Sequence, residues 1–167
     1  MRTANEETFS GDLVICADGL NSISRHTVLD RQVPRGDSGF HIYCLMVPIP
    51  HIQSSPRWKH FVDPPCVHLI VGQGGHCVVT SLHKRGLLYI YAIGQHTQDA
   101  EDAFRAGGVD IPELKREFAG WMIVDELAGH ASDTQYWRLL DPDMPERWVR
   151  DRTVLLGDAA HAMLPFV

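Results

Sequence analysis

Residues 152–167, RTVLLGDAAHAMLPFV, decide how this chain is read. An apolar run at 154–156 meets Gly157-Asp158, and small residues then open a helix. A buried strand that turns on Gly-Asp into a helix N-terminus offers unpaired backbone N–H groups and the positive end of a dipole to an anionic or electron-rich ligand. Asp158 is placed to cap that helix, and its carboxylate is equally able to accept hydrogen bonds from the hydroxyls of a bound polyol. Ala159 and Ala160 are small enough to let a ligand approach the backbone. The run at 13–17 followed by Asp18-Gly19 repeats the same grammar near the other end, and it reads as a central strand covered on both faces.

The chain has 167 residues, 44% of them hydrophobic and 22% charged, which is enough apolar material for a globular fold. A net charge of −6 with 15 scattered basic residues argues against nucleic-acid or anionic-membrane partners and for a small molecule. No apolar stretch nears the roughly 18 residues that span a bilayer. The polar start, MRTANEETFS, lacks a signal-peptide pattern. Cys16, Cys44, Cys66 and Cys77 have no CxxC spacing, so reduced thiols in the cytoplasm are expected. The spacing of Cys66, His68, His76 and Cys77 fits no usual zinc pattern, and strand alternation sends His76 and Cys77 to opposite faces, so no metal site is expected.

Between the two motifs, FHIYCLMVPIP and then CVHLIVGQGGHCVVTSLHKRGLLYIYAIG, whose short apolar runs are parted by Gly-rich or basic turns, read as a three- or four-stranded antiparallel sheet. Helices are expected at 99–106 and 112–127. For the second, Asp110 and Glu113 have capping-box spacing, and Ile111, Leu114, Phe118 and Trp121/Met122 share a face. QYWRLL reads as a further strand, and the Pro-rich DPDMPERW as a surface connection. Three segments follow: 1–38, 39–140 and 141–167.

The first motif is Asp18-Gly19-x-x-Ser22-x-x-Arg25. Gly19 permits a tight turn, and Asn21 or Ser22 is available as a cap. Arg25 falls in the first helical turn, where the dipole disfavours a cation, so an anionic partner is expected, either Asp18 or a bound phosphate. Taken with Gly157-Asp158-Ala159-Ala160-His161 and Pro165, this motif resembles the FAD-dependent aromatic monooxygenases of the salicylate hydroxylase and hydroxybenzoate hydroxylase type. GFHIYCLMVP, GQGGHCVV and RWVRDRTVLLGDAAHAMLPF stand in that family's order.

The resemblance implies an α/β (α+β) fold, a portion of a Rossmann-like FAD-binding domain at 1–38 and 141–167 interrupted by an antiparallel-sheet substrate domain at 39–140. It implies FAD as cofactor, held by Asp18, Gly19, Arg25, Gly157, Asp158 and Ala159, with Asp158 on a ribityl hydroxyl and His161 structural. NAD(P)H as co-substrate and O2 would hydroxylate a small phenolic substrate through a flavin hydroperoxide. In relatives a histidine and, four residues on, a tyrosine line the substrate pocket. Here they are His76 and Thr80, so proton transfer would fall to His76, with Val78 and Thr80 on its strand face. Three departures stand out. No GxGxxG occurs, the GQGG at 72–75 looks like a hairpin turn, and Cys44 replaces an arginine that would touch flavin or substrate. An internal fragment of a longer enzyme is therefore expected; the alternative is a truncated, non-catalytic remnant or interaction domain that does not bind FAD by itself.

Overall fold

A computed structural model describes residues 5–34, 36–83, 85–98 and 108–164. In chain order its elements are β1 (Val14–Cys16), α1 (Ser24–Leu29), β2 (Phe40–Pro48), α2 (Ile49–Gln53), β3 (His68–Val71), β4 (Cys77–His83) and β5 (Leu87–Gln95). After these come α3 (Ile111–Glu117), α4 (Met122–Leu127), β6 (Asp133–Leu139), β7 (Val149–Arg150), β8 (Thr153–Leu155) and α5 (Asp158–His161). They form two compact units, one from residues 1–38 and 140–167 and one from 39–139.

In the first unit the two Gly-Asp-type turns are brought side by side because their strands pair. β1 and β8 are parallel, with Val14 opposite Thr153 and Cys16 opposite Leu155, and β7 completes the order β1-β8-β7. Parallel neighbours exit in the same direction, so both following helices start at one sheet edge. Cys16, Val28, Leu155, Ala159 and Ala160 pack between the strands and the helices. The expectation of a doubly covered central strand is corrected: β1 lies at the edge of this sheet, and Leu13 and Ile15 are 58% and 60% exposed. Among the described residues, apolar cover lies on one face of β1 only. The C-terminal turn of α1 is closed by a left-handed Asp30 and by arginines, Arg147 Nε donating to the Val28 carbonyl and Arg150 Nη1 to that of Thr27.

The second unit is a five-stranded antiparallel sheet in the order β3-β4-β5-β2-β6, the QYWRLL run supplying the edge strand β6. The GQGG turn closes the β3–β4 hairpin, with Gly72 N–H donating to the His76 carbonyl. Alternation gives the sheet one face of Tyr43, Leu45, Val47, Val78, Leu88, Ile90 and Ala92, which buries Leu114, Phe118, Val124 and Leu127 of the helices. Each fully buried side chain of this size stabilises the fold by roughly 1.5–3 kcal/mol. The single helix expected at 112–127 is two. Gly120, at φ +85°, breaks the run between Glu117 and Met122, which leaves Met122 exposed while Phe118 is buried. Asp110 makes no side-chain cap, and Glu113 pairs with Arg116 instead. The helix expected at 99–106 lies outside the described residues, as does Pro165.

Candidate functional site

The first cluster is built on the paired turns of the β1–β8 sheet. Gly19 turns at φ +77° after β1. The Asp18 carboxylate then accepts from the Ser22 hydroxyl at 2.7 Å and from Ser24 N–H at 3.0 Å, while the Ser22 hydroxyl accepts from Arg25 N–H at 2.9 Å. Ser22, rather than Asn21, thus serves a first-turn amide of α1, while the N-cap position itself, Ile23, makes no side-chain bond. Burial pushes the Asp18 carboxyl up, but the Ser24 and Ser22 bonds outweigh it and hold the group below its ordinary value.

Arg25 is only 3% exposed, and its partner differs from the one expected. Its Nε donates to the Ala159 carbonyl at 2.9 Å and its Nη2 to the Asp158 carbonyl at 2.6 Å. Neither Asp18 nor an anion is needed to explain it, because a helix of four residues leaves its carbonyls short of intrahelical donors and the guanidinium fork supplies them. Arg25 is thus a brace beneath the second turn. That turn has Gly157 at φ 61°, ψ −141°, a conformation suited to glycine, with open space where a Cβ would stand. Ala159 and Ala160 are buried, and Asp158 is exposed. Among the described residues the Asp158 carboxylate has no hydrogen-bonding partner, so an acceptor is presented at a short helix N-terminus with no Cβ in front of it. This chemistry fits a polyhydroxylated, anionic cofactor such as FAD. His161 is half-buried against the Trp148 ring at 5.4 Å.

The second cluster lies in the β-sheet unit. His76 lines a cavity of about 420 Å3 with Gln95, Thr97, Glu113, Arg116 and Glu117, and the Phe118 ring meets it edge-on at 5.0 Å. Thr80 and Val78 do not share that cavity, which corrects the expected pocket lining. Both are fully buried beneath the helices, and the Thr80 hydroxyl meets His68 Nδ1 at 3.2 Å. Cys66 Sγ lies 3.4 Å from His68 Nε2, and among the described residues no group of three or more His, Cys, Asp or Glu could hold a metal ion.

Sequence reasoning missed the partners of His76. Glu117 Oε1 stands 3.7 Å from His76 Nε2 and 2.9 Å from Nε2 of His41, which is fully buried. The close His41 contact is not an aligned hydrogen bond: among the described residues neither His41 nitrogen nor Glu117 Oε1 has a hydrogen-bond partner. Burial first, and then the Glu117 carboxylate, push the Tyr43 phenol far above its ordinary value. A legible signal existed in Gly94, a glycine inside β5, because such a residue marks a close approach. A Cβ there would collide with Glu117 Oε1. Cys44, on the opposite face from Tyr43, is buried, and burial followed by Asp133 pushes its thiol up to about 11. It cannot reproduce an arginine's charge.

Comparison with known proteins shows the family of the chain. The family model described as "FAD binding domain" matches residues 1–167. The chain is 32% identical over 169 residues to salicylate hydroxylase of Pseudomonas putida, covering 92% of this chain and 38% of that protein. It is 32% identical over 157 residues to 3-amino-4-hydroxybenzoate 2-monooxygenase of Streptomyces cremeus, covering 93% and 36%. Among solved structures, Klebsiella pneumoniae HpxO complexed with FAD and uric acid superposes with a TM-score of 0.72 at 26% identity, over 98% of this chain and 40% of that one. The chain therefore spans about two-fifths of the length of the proteins it matches. Among the described residues no helix is long and apolar enough to cross a membrane.

Proposed function

This chain belongs to the FAD-binding domain family, and from that membership we propose that it is part of an FAD-dependent, NAD(P)H-using monooxygenase that hydroxylates a small phenolic substrate with O2 in the cytoplasm. The observation that carries the reading is the Gly157–Ala160 turn, with an Asp158 carboxylate that is unpaired among the described residues in front and the Arg25 brace behind. Asp158 would accept a ribityl hydroxyl of FAD. Gly157 and Ala159 would let the cofactor reach the backbone, and the Asp18-Gly19 turn would border it. Arg25 would serve by holding the carbonyls of Asp158 and Ala159. When bound, the flavin supplies electron transfer from NAD(P)H and activation of O2. The protein's own task is to orient the ring, exclude water and take the phenolic proton, which we assign to His76 at the cavity beside Glu117. The aromatic names of the relatives support this substrate class.

Replacing Asp158 with Ala in the complete enzyme should weaken FAD binding by about 1–3 kcal/mol, the cost of unpaired hydrogen-bonding groups. That is roughly 5- to 150-fold in Kd. Flavin fluorescence titration reads it, and an unchanged Kd removes the assignment. A second reading, that residues 1–167 alone are a non-catalytic remnant that retains no flavin, is favoured by the exposed apolar face of β1. The same titration on this chain tests the second reading, since stoichiometric yellow protein rules the remnant out.

A further inference from the structure

We propose that Glu117, anchored by His41, is a positioning residue for His76. Its carboxylate holds the ring proton on His76 Nε2 and leaves Nδ1 as the acceptor for a phenolic O–H. The proposal rests on the reading of His76 given above. Three observations carry it. His76 presents Nε2, not Nδ1, to Glu117 Oε1. Nδ1 faces away from Glu117, toward the Gly74 turn, where even an added Cβ would stand no nearer than 3.6 Å. The carboxylate oxygen between the two imidazoles is buried and lacks an aligned donor, and buried acceptors are rarely left so. An Nε2–H from His76 is the donor that would satisfy it.

The surroundings show that the place is made for a carboxylate. Gly94 has no side chain where Oε1 sits, and His41 is sealed behind it among the rings of Tyr43 at 4.9 Å and Tyr136 at 5.2 Å. Glu117 ends α3, where the helix dipole opposes a negative charge, so the helix is not what draws a carboxylate to this place. At 3.7 Å the His76 contact is longer than a hydrogen bond, as such contacts often are before substrate arrives. In the step assigned here the phenolic O–H bond breaks, an N–H bond forms at Nδ1, and the resulting positive ring is paired with the Glu117 carboxylate. No electron changes hands, and the proton later leaves Nδ1 to water.

Two measurements test this. In the histidine-labelled 167-residue chain, ring nitrogen NMR should show His76 as the Nε2–H tautomer, and Glu117→Gln should shift the tautomer ratio by roughly 10-fold or more. His68, whose Nδ1 meets the buried Thr80 hydroxyl at 3.2 Å in the same sheet unit, should stay unchanged and so report an intact sheet. In the complete enzyme, Glu117→Gln and His76→Gln should each lower hydroxylated product per NAD(P)H consumed, and the double variant should be no worse than His76→Gln. An unmoved His76 tautomer in Glu117→Gln overturns the proposal. So does a yield that falls in His76→Gln but not in Glu117→Gln. An unchanged yield in His76→Gln, with the tautomer moved, sinks the assignment of His76 as base and leaves the hold of Glu117 on the ring standing.

Discussion

Removing the Arg25 side chain should loosen the Gly157 turn far more than any exposed arginine would. Arg25→Ala takes away two bonds from a charged donor to the carbonyls of Asp158 and Ala159, and strands those acceptors beside a vacated, nearly buried site. Bonds to charged groups contribute about 1.5–3 kcal/mol each, but the two share one guanidinium and water can enter on the Asp158 side, so a loss of about 3–4 kcal/mol is expected. That corresponds to roughly 10²- to 10³-fold in local opening. Amide hydrogen exchange is the assay, because Ala160 and His161 N–H both donate to the Gly157 carbonyl at 2.8 and 3.0 Å. Their protection should collapse by that factor, while amides of β2 and β5 in the separate sheet keep theirs. Arg25→Lys, which keeps the charge but not the fork, should recover less than half of the loss in kcal/mol. Protection of Ala160 and His161 within threefold of wild type would refute the brace.

Two further outcomes follow from the titrating groups. Asp18 has a folded-state pKa below its ordinary 3.8, so its contribution to stability is present above the unfolded value and is lost as pH falls through the folded one. Melting curves of wild type and Asp18→Asn should therefore stand apart at pH 7 and converge below about pH 4, and a constant gap down to pH 3 would contradict the Ser22–Ser24 cap. Of the four free thiols, Cys66 is exposed and touches His68, whereas burial raises Cys77 and takes Cys44 to about 11. Iodoacetamide at pH 8 should label Cys66 first and Cys44 last; Cys44 reacting ahead of Cys66 would show that the sheet face around Cys44 opens in solution.

What the sequence made legible was whatever depends on near neighbours in the chain. The apolar runs in FHIYCLMVPIP and RGLLYIYAIG became β2 and β5, the GQGG at 72–75 became a hairpin turn, and the Gly19 and Gly157 turns follow β1 and β8. The α/β architecture was readable for that reason. One error came from a glycine inside the run itself, and the others came where a distant residue decides. The pattern at 111–122 allowed one continuous helix until Gly120 took a positive φ. Arg25 looked like a cation seeking an anion because the carbonyls it serves lie far along the chain. Glu117 sat inside an amphipathic stripe and His41 inside an apolar strand, and only tertiary packing joins them to His76. The covered face of β4, which took Thr80 out of the His76 cavity, was fixed by helices the strand pattern could not orient.

Phe40 and Leu139 are register partners on β2 and β6, so the sheet holds the two ends of its own hundred-residue excursion side by side. For β1 and β8, which must find each other across that excursion, the folded sheet behaves as a short staple. The loop they close shrinks from roughly 140 residues to roughly 40, which lowers the closure cost by about 1 kcal/mol. The same geometry makes the sheet removable in principle. A turn of a few residues between 38 and 140 would span the gap that Phe40 and Leu139 now bridge, and the parallel pair could be rebuilt around an unrelated insert without lengthening its path.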